Sequence, residues 1–383
     1  MRRLLTLLRS FTVLGLLLVF TAVAILLVTH EGRVAIRAAM LVPEVLPGAS
    51  FQPLRMISEP PIEEEVTYPF SGGAGRASLW RPAGPGQHGA LILFLGVNPD
   101  YGYEPLRQFA AAVARQGAVV LLVHSVELDN SRLSLAEVDA LVGAARYVRE
   151  LPYVNPKRVG FAGFCVGGSF ALLAAGDPRI AADVRFVNSF GGFYSAETFL
   201  AAMTTRTVAV DNLTQEAWQP DARATTWFLQ AVVNAMPQAA ERAELERLLQ
   251  AGGPLTPDQR RALTPRLRSV YDLLANRDPS VFGPLYEGLP ADVRAELAKF
   301  APGNNFPFLQ ARVFLMADSN DRYIPHTESK LLNFALREYP RRVFTEFDFF
   351  DHMTPGQTRE GLDLLREVWK LYSHLYLVLL ELS

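Results

Sequence analysis

Cys165 is the one cysteine in a chain of 383 residues, and it stands within VGFAGFCVGGSFALLAA, Val159 to Ala175. A short apolar run enters a tight turn and a helix-compatible run leaves it. The spacing therefore predicts strand, sharp elbow and helix, with the thiol at the apex. Lifting one side chain clear of a sheet strains its backbone, and neighbours without a Cβ avoid the collision that follows. Gly163 and Gly167 occupy those neighbouring positions, and Gly168 would let the helix approach the strand. A lone cysteine is often a small buried hydrophobe, but this setting points to a nucleophile. A free thiol has a pKa of about 8.5, so a minor thiolate fraction exists at neutral pH. Thiolate adds to carbonyl carbon readily and also leaves readily, which favours activated esters, lactones and thioesters over amides. Such a nucleophile needs a base, and the base needs an orienting group.

The G-x-C-x-G-G pattern resembles the nucleophile elbow of the α/β-hydrolase superfamily. Cysteine at the apex is similar to the dienelactone hydrolase family, and also to the lipase-like box of polyhydroxyalkanoate synthases. The resemblance covers roughly Val66 to the C-terminus and implies the chain order nucleophile, acid, histidine. In ARVFLMADSNDRYIPHTESKLL, Asp321 matches the acid of the family's D-x-x-V-P pattern when the register is set on Ile324-Pro325. Asp318 is the alternative. The histidine is expected in the loop after the last strand, where VFTEFDFFDHMTP places His352 ahead of a terminal helix starting at Thr354-Pro355. His30, His88, His326 and His374 lack that setting, and His124 is placed where it could line the site without acting as the base. The fold further implies an oxyanion hole built from the backbone N–H of Val166 and one from the Leu95-Gly96-Val97-Asn98 loop, with Val97 the expected second donor. Many relatives carry His-Gly where this chain has Leu-Gly.

The elements that must position these residues alternate along the chain. Glu65 to Phe70 and Arg76 to Pro82 read as a hairpin across Gly72, Gly73 and Gly75. Continuous apolar runs at Ala90–Leu95 and Ala118–Val123 read as buried parallel strands. Further strands are expected at Lys157–Ala162, Val184–Phe190, Ala311–Ala317 and Arg342–Phe347. Between them lie helices at Tyr103–Gln116 and Ser134–Glu150, the latter opened by a Ser134/Glu137 capping box. Strands alternating with helices predict an α/β fold, a mostly parallel sheet wrapped on both faces. From Tyr194 to about Phe308 the alternation stops, helix starts recur and strand candidates are nearly absent. This is where α/β-hydrolases commonly insert a helical cap. The division expected is residues 1–30 a transmembrane signal anchor, 31–62 a juxtamembrane linker, 63–193 the first part of the core, 194–308 the cap and 309–383 the rest of the core.

The anchor rests on Phe11 to Thr29, about 19 residues without a charge, enough for one helix through a ~30 Å hydrocarbon layer. A cleaved signal peptide usually has a shorter apolar region, ~7–15 residues. Arg2, Arg3 and Arg9 precede the span, which weakly places the N-terminus in the cytoplasm and the catalytic domain outside it. Gly32 to Leu41 reads as a short amphipathic helix near the membrane surface, and Pro43, Pro47, Pro53, Pro60 and Pro61 suggest a spacer after it. The YLVLLELS tail is too short to cross a bilayer and is expected to pack on the domain. Net charge is −2 and no dense basic run occurs beyond the N-terminus, so nucleic acid is not an expected partner. A single cysteine excludes an intramolecular disulfide and a cysteine-based zinc site. No metal-ligand cluster or phosphate-cradling motif is visible, so no cofactor is expected. The reading is a membrane-anchored hydrolase of a small acyl substrate, working through Cys165, His352 and Asp321 and a thioacyl-enzyme. Two alternatives stand beside it, an acyltransferase resembling polyhydroxyalkanoate synthases and a scaffold that has lost activity.

Overall fold

A computed structural model of the chain describes residues 20–21, 24–46, 51–209, 214–352, 354–355 and 359–383. In chain order it contains helix α1 (His30–Val45), strands β1 (Ile62–Phe70), β2 (Gly73–Arg81) and β3 (His88–Phe94), α2 (Glu104–Arg115), β4 (Ala118–His124), α3 (Ala136–Glu150), β5 (Val154–Phe164), α4 (Val166–Ala175) and β6 (Phe186–Phe190). After the inserted region come β9 (Arg312–Asp318), α7 (His326–Ala335), β10 (Arg342–Phe347) and α8 (Gly361–Leu382). One eight-stranded sheet runs in the order β1-β2-β4-β3-β5-β6-β9-β10. The first two pairings, β1 with β2 and β2 with β4, are antiparallel. Every later pairing is parallel.

Period-2 alternation explains why helices cover both faces. Ala90, Ile92 and Phe94 of β3 and Val119, Leu121 and Val123 of β4 join one core, with Leu141 and Val148 of α3, Phe170 of α4 and Leu332 of α7. The intervening Leu91, Leu93, Val120 and Leu122 join the other, with Val113 of α2, Leu379 and Leu382 of α8, and Val34, Ala38 and Leu41 of α1. Strands buried on both faces have no solvent side to encode, so they read as unbroken apolar runs.

The inserted region begins with α5 (Ala196–Thr205) and a small hairpin, β7 (Thr207–Ala209) with β8 (Gln215–Ala217), followed by α6 (Ala222–Ala235). Further helices run from Ala239–Ala251 to Ala291–Lys299. They share their own apolar cluster, centred on Leu245, Leu267, Val270, Leu274 and Phe282.

Several expectations need correcting. The linker expected over 31–62 is largely a packed part of the domain. Val34, Ala38, Leu41 and Val42 are all buried on one stripe of α1, and α1 packs along α8 and α2. The proline density pointed to a spacer because Pro43 falls in the last turn of that helix, where it ends the element without breaking the stripe. The Ser134/Glu137 capping box does not form. Helix α3 starts at Ala136 without a side-chain cap, and the Glu137 carboxylate instead accepts a hydrogen bond from Ser125 Oγ at 2.6 Å. The terminal helix starts at Gly361, not at Thr354, because Thr354–Pro355 forms a short strand, β12, paired antiparallel with β11 (Phe350–Asp351). Among the described residues no helix is long and apolar enough to cross a membrane. Most of the span expected over Phe11–Thr29 lies outside the described residues. The C-terminal tail packs as expected, with Leu379 and Leu382 buried.

Candidate active site

Cys165 sits between β5 and α4 with φ 57° and ψ −137°. That left-handed backbone is costly for a residue with a Cβ and persists only where surroundings impose it. Here the Cys165 N–H donates to Phe190 O at 2.9 Å, and its carbonyl accepts from Gly168 N at 2.9 Å. The glycines explain the rest. A Cβ on Gly163 would collide with the Gly167 carbonyl, and one on Gly167 with the Leu95 carbonyl. A Cβ on Gly168 would press on Ser189 Oγ at 2.5 Å. Gly96, in the loop after β3, is equally constrained, since a Cβ there would lie 2.7 Å from Cys165 Cβ and 3.0 Å from Sγ.

The acid and the imidazole arrive from the far side of the sheet. Asp321 follows β9, with Oδ1 accepting from Tyr323 N at 2.7 Å and Ile324 N at 3.0 Å. Its Oδ2 accepts from His352 Nδ1 at 2.8 Å. Both side chains are buried, His352 at 6% exposure and Asp321 at 2%. With Nδ1 carrying the proton, Nε2 is the free edge of the ring. Burial alone would lower the His352 pKa. The charge of Asp321 beside it and the bond to Asp321 outweigh that cost, with Cys165 acting in the same direction, and the pKa is held well above its ordinary value. The fold brings His352 against Asp321, and it is Asp321 rather than Asp318 that faces the imidazole.

Asp318 has a different task. It is fully buried, and its Oδ2 accepts from Phe349 N at 3.0 Å and Phe350 N at 2.7 Å, while Oδ1 accepts from Asn320 N at 2.8 Å. Burial pushes its carboxyl up to about 6. It thus ties the loop that carries His352 to the loop that carries Asp321. Gly191 completes the fit. It has φ 63°, and a Cβ there would stand 3.2 Å from Asp321 Oδ2 and 3.6 Å from His352 Cε1.

The other histidines sit elsewhere. His124 Nε2 bonds Ser78 Oγ at 2.9 Å and its ring stacks on Tyr101. His374 is buried between Asn188 Oδ1 and Thr345 Oγ1, and burial lowers its pKa to about 3. His88 contacts the Gly117 carbonyl, and His326 lies 4.0 Å from Glu346.

Val166 opens α4, so its N–H is a first-turn donor with no helical partner. The Val97 amide has no backbone carbonyl partner among the described residues. The loop that carries Val97 and the turn into α4 meet at Gly96 and Cys165. Three aromatic contributors went unrecognised in the sequence. The Tyr323 ring stacks on His352 with centroids 4.6 Å apart, and Trp227 of α6 lies 6.0 Å from Tyr323. Trp218 Nε1 donates to the Asp321 carbonyl at 2.9 Å. The Trp residues come from the inserted region, where no local pattern separates a site residue from a packing residue. Among the described residues no group of His, Cys, Asp and Glu is arranged to hold a metal.

This architecture, with a strained cysteine elbow after β5 and an aspartate–histidine pair on the loops after β9 and β10, is that of the α/β-hydrolase fold. Within that superfamily the resemblance is to the dienelactone hydrolase family, whose model matches residues 125–216. That match spans the elbow and ends before Asp321 and His352. A probable 2-oxo-3-(5-oxofuran-2-ylidene)propanoate lactonase from Bradyrhizobium sp. is 34% identical over 134 residues, 30% of this chain and 52% of that protein. The chain thus spans about half the length of this curated relative. Among solved structures, the uncomplexed acylaminoacyl peptidase of Pyrococcus horikoshii superimposes with a TM-score of 0.50. It is 11% identical and the alignment covers 85% of this chain and 42% of the peptidase. This likeness is one of fold.

Proposed function

We propose that the protein is a hydrolase of small esters or lactones, working through a Cys165–His352–Asp321 triad. The observation that carries this reading is the 2.8 Å bond from His352 Nδ1 to Asp321 Oδ2, which leaves Nε2 free on a ring that Cys165 also influences. Cys165 Sγ attacks the acyl carbon as His352 takes up its proton. The carbonyl oxygen, now negative, is held by the Val97 and Val166 amides. The C–O bond to the leaving group breaks, the imidazolium returns the proton to the departing oxygen, and a thioester on Cys165 remains. Water, deprotonated by His352, then attacks that thioester and releases the acid and the thiol. Asp321 stays ionised and orients the ring. The lactonase named among the relatives supports a cyclic ester as substrate.

The N-terminal segment serves as a single-pass anchor in the lipid bilayer, with the catalytic domain extracytoplasmic. Residues 24–28 are helical, and Ile25, Leu27 and Val28 each expose more than half their surface, with Phe20 before them at 73%. Large apolar side chains in that state need a cover, and lipid provides one.

The test uses the full chain in detergent, because a fragment starting near Ser58 would lack the core helix α1. With p-nitrophenyl acetate, wild type should release p-nitrophenolate in a burst and carry one acetyl group on Cys165 by mass spectrometry. Cys165→Ala should do neither. Activity surviving in Cys165→Ala would eliminate the proposed nucleophile. Extraction of the chain from membranes by alkaline carbonate would eliminate the anchor.

A further inference from the structure

The inserted region touches both halves of the site through one short stretch. Trp218 Nε1 donates to Asp321 O at 2.9 Å, and Asp221 N donates to Arg322 O at 2.7 Å, so the start of α6 is tied to the acid loop. At the other end of α6, Asn234 Nδ2 donates to Asn130 O at 2.9 Å. Trp227 lies between these ties, and its indole has two neighbours of consequence. One is Tyr323, whose ring stacks on His352. The other is Asn98, the residue after Val97.

Asn98 holds φ 49°, a left-handed conformation that a non-glycine residue keeps only when its surroundings hold it there. Its backbone N–H donates to Leu128 O at 3.0 Å. With its amide oriented so that both ends are satisfied, Nδ2 donates to Asp129 O at 3.1 Å. Oδ1 then accepts from Ser131 Oγ at 2.8 Å and from Trp227 Nε1 at 3.0 Å. The residues at 128–131 supply three of these four bonds, and the cap supplies the fourth. The direction of the Val97 amide depends on the φ and ψ of its neighbours, so a bond that fixes Asn98 also aims the donor beside it.

We propose that Trp227 and Asn98 form a latch by which the cap positions the oxyanion hole. Trp227 and Asn98 are positioning residues, since they act through the Val97 amide. The latch deepens the hydrolase reading above and rests on it. Its consequence is that a seated cap aims the anion donor and backs the histidine through a single indole, whereas a displaced cap loosens both.

Two rates on Cys165 separate this from a merely structural role. Acylation by p-nitrophenyl acetate develops an oxyanion and needs the hole, whereas alkylation by iodoacetamide needs only the thiolate. In the full chain, Trp227→Phe keeps the ring and removes the donor. Its acylation rate should fall about five- to tenfold, the worth of one neutral hydrogen bond, with alkylation and KM unchanged. Asn98→Ala provides the second variant, approached from the core side. It should lose at least as much acylation, and adding Trp227→Phe to it should cost nothing further. Equal acylation in Trp227→Phe and wild type would overturn the latch, as would a parallel fall in acylation and alkylation. Fully additive losses in the double variant would overturn it too. A wild-type chain that alkylates but never acylates would sink the hydrolase reading itself, a result distinct from any of these.

Discussion

The elbow and the histidine loop hold Cys165 and His352 by opposite means. At the elbow, Cys165 is held by its own neighbours: Gly163, Gly167 and Gly168 allow backbone to touch backbone, and the bond from Gly168 N closes the turn. The histidine loop has no such local logic. His352 also adopts a positive φ, 60°, but Asp318 of β9 holds the two amides before it, Tyr323 stacks on its ring and Gly191 of the β6 turn leaves room for it. An elbow's strain can be written into half a dozen consecutive residues. An imidazole that must find a distant carboxylate is positioned by three groups from two other segments, and so is more easily misplaced.

Four substitutions sharpen or break that contrast. The largest effect belongs to Cys165→Ala, which should lower kcat/KM by roughly a thousandfold or more while leaving the unfolding midpoint near that of wild type. A large loss of stability would mean that the side chain, not the glycines around it, holds the elbow. Next comes Asp318→Ala, which strips three amides of their acceptor, two of them in the buried His352 loop. It should cost about 2–4 kcal/mol in urea unfolding and depress kcat through a displaced imidazole. Unchanged kcat in a folded variant would remove Asp318 from the account of how His352 is placed.

Gly96→Ala tests the elbow from outside. Its Cβ would lie 2.7 Å from Cys165 Cβ, so the expected result is a slower acylation with a stability loss of about 1–3 kcal/mol, the usual cost of overpacking. Normal acylation would show that the contact relaxes without moving the thiol.

The last effect is one of pH. Glu328 is buried at the junction of α7 and the cap, accepting from Tyr194 N and Thr198 Oγ1, each at 2.8 Å. Burial pushes its carboxyl up from 4.5 to about 7. Between those values the folded state binds the proton that the unfolded state has released, so stability falls as pH rises through this window. The full loss is on the order of 3 kcal/mol. Glu137 is raised to about 7 and Asp318 to about 6, and both act in the same direction. Glu328→Gln cannot ionise, so its unfolding midpoint should differ less between pH 5 and pH 7.5 than that of wild type. An equal difference in the two proteins would show that Glu328 titrates normally in the folded chain.

The elements legible in advance were those with a short-range signature. Doubly buried strands announce themselves as apolar runs because every side chain faces a core. The β1–β2 hairpin is marked by its glycines, and the elbow by the spacing of its own. Asp321 could be distinguished from Asp318 only through a family pattern, since both are carboxylates on one loop. The mistakes share a cause. The amphipathic helix expected at the membrane surface is instead α1 packed on the domain, because its apolar stripe meets α2 and α8, and the capping box failed because Ser125, nine residues upstream of Ser134, claimed Glu137.

By itself the sequence determined a wound sheet and a strained thiol, because these follow from alternation, glycine sterics and local turn chemistry. Tertiary structure alone decided what holds the histidine loop and which cap residue reaches Asn98. Those outcomes depend on hydrogen bonds and ring contacts between segments tens to hundreds of residues apart. No local pattern encodes such contacts, because the chain must first fold to bring their partners within reach.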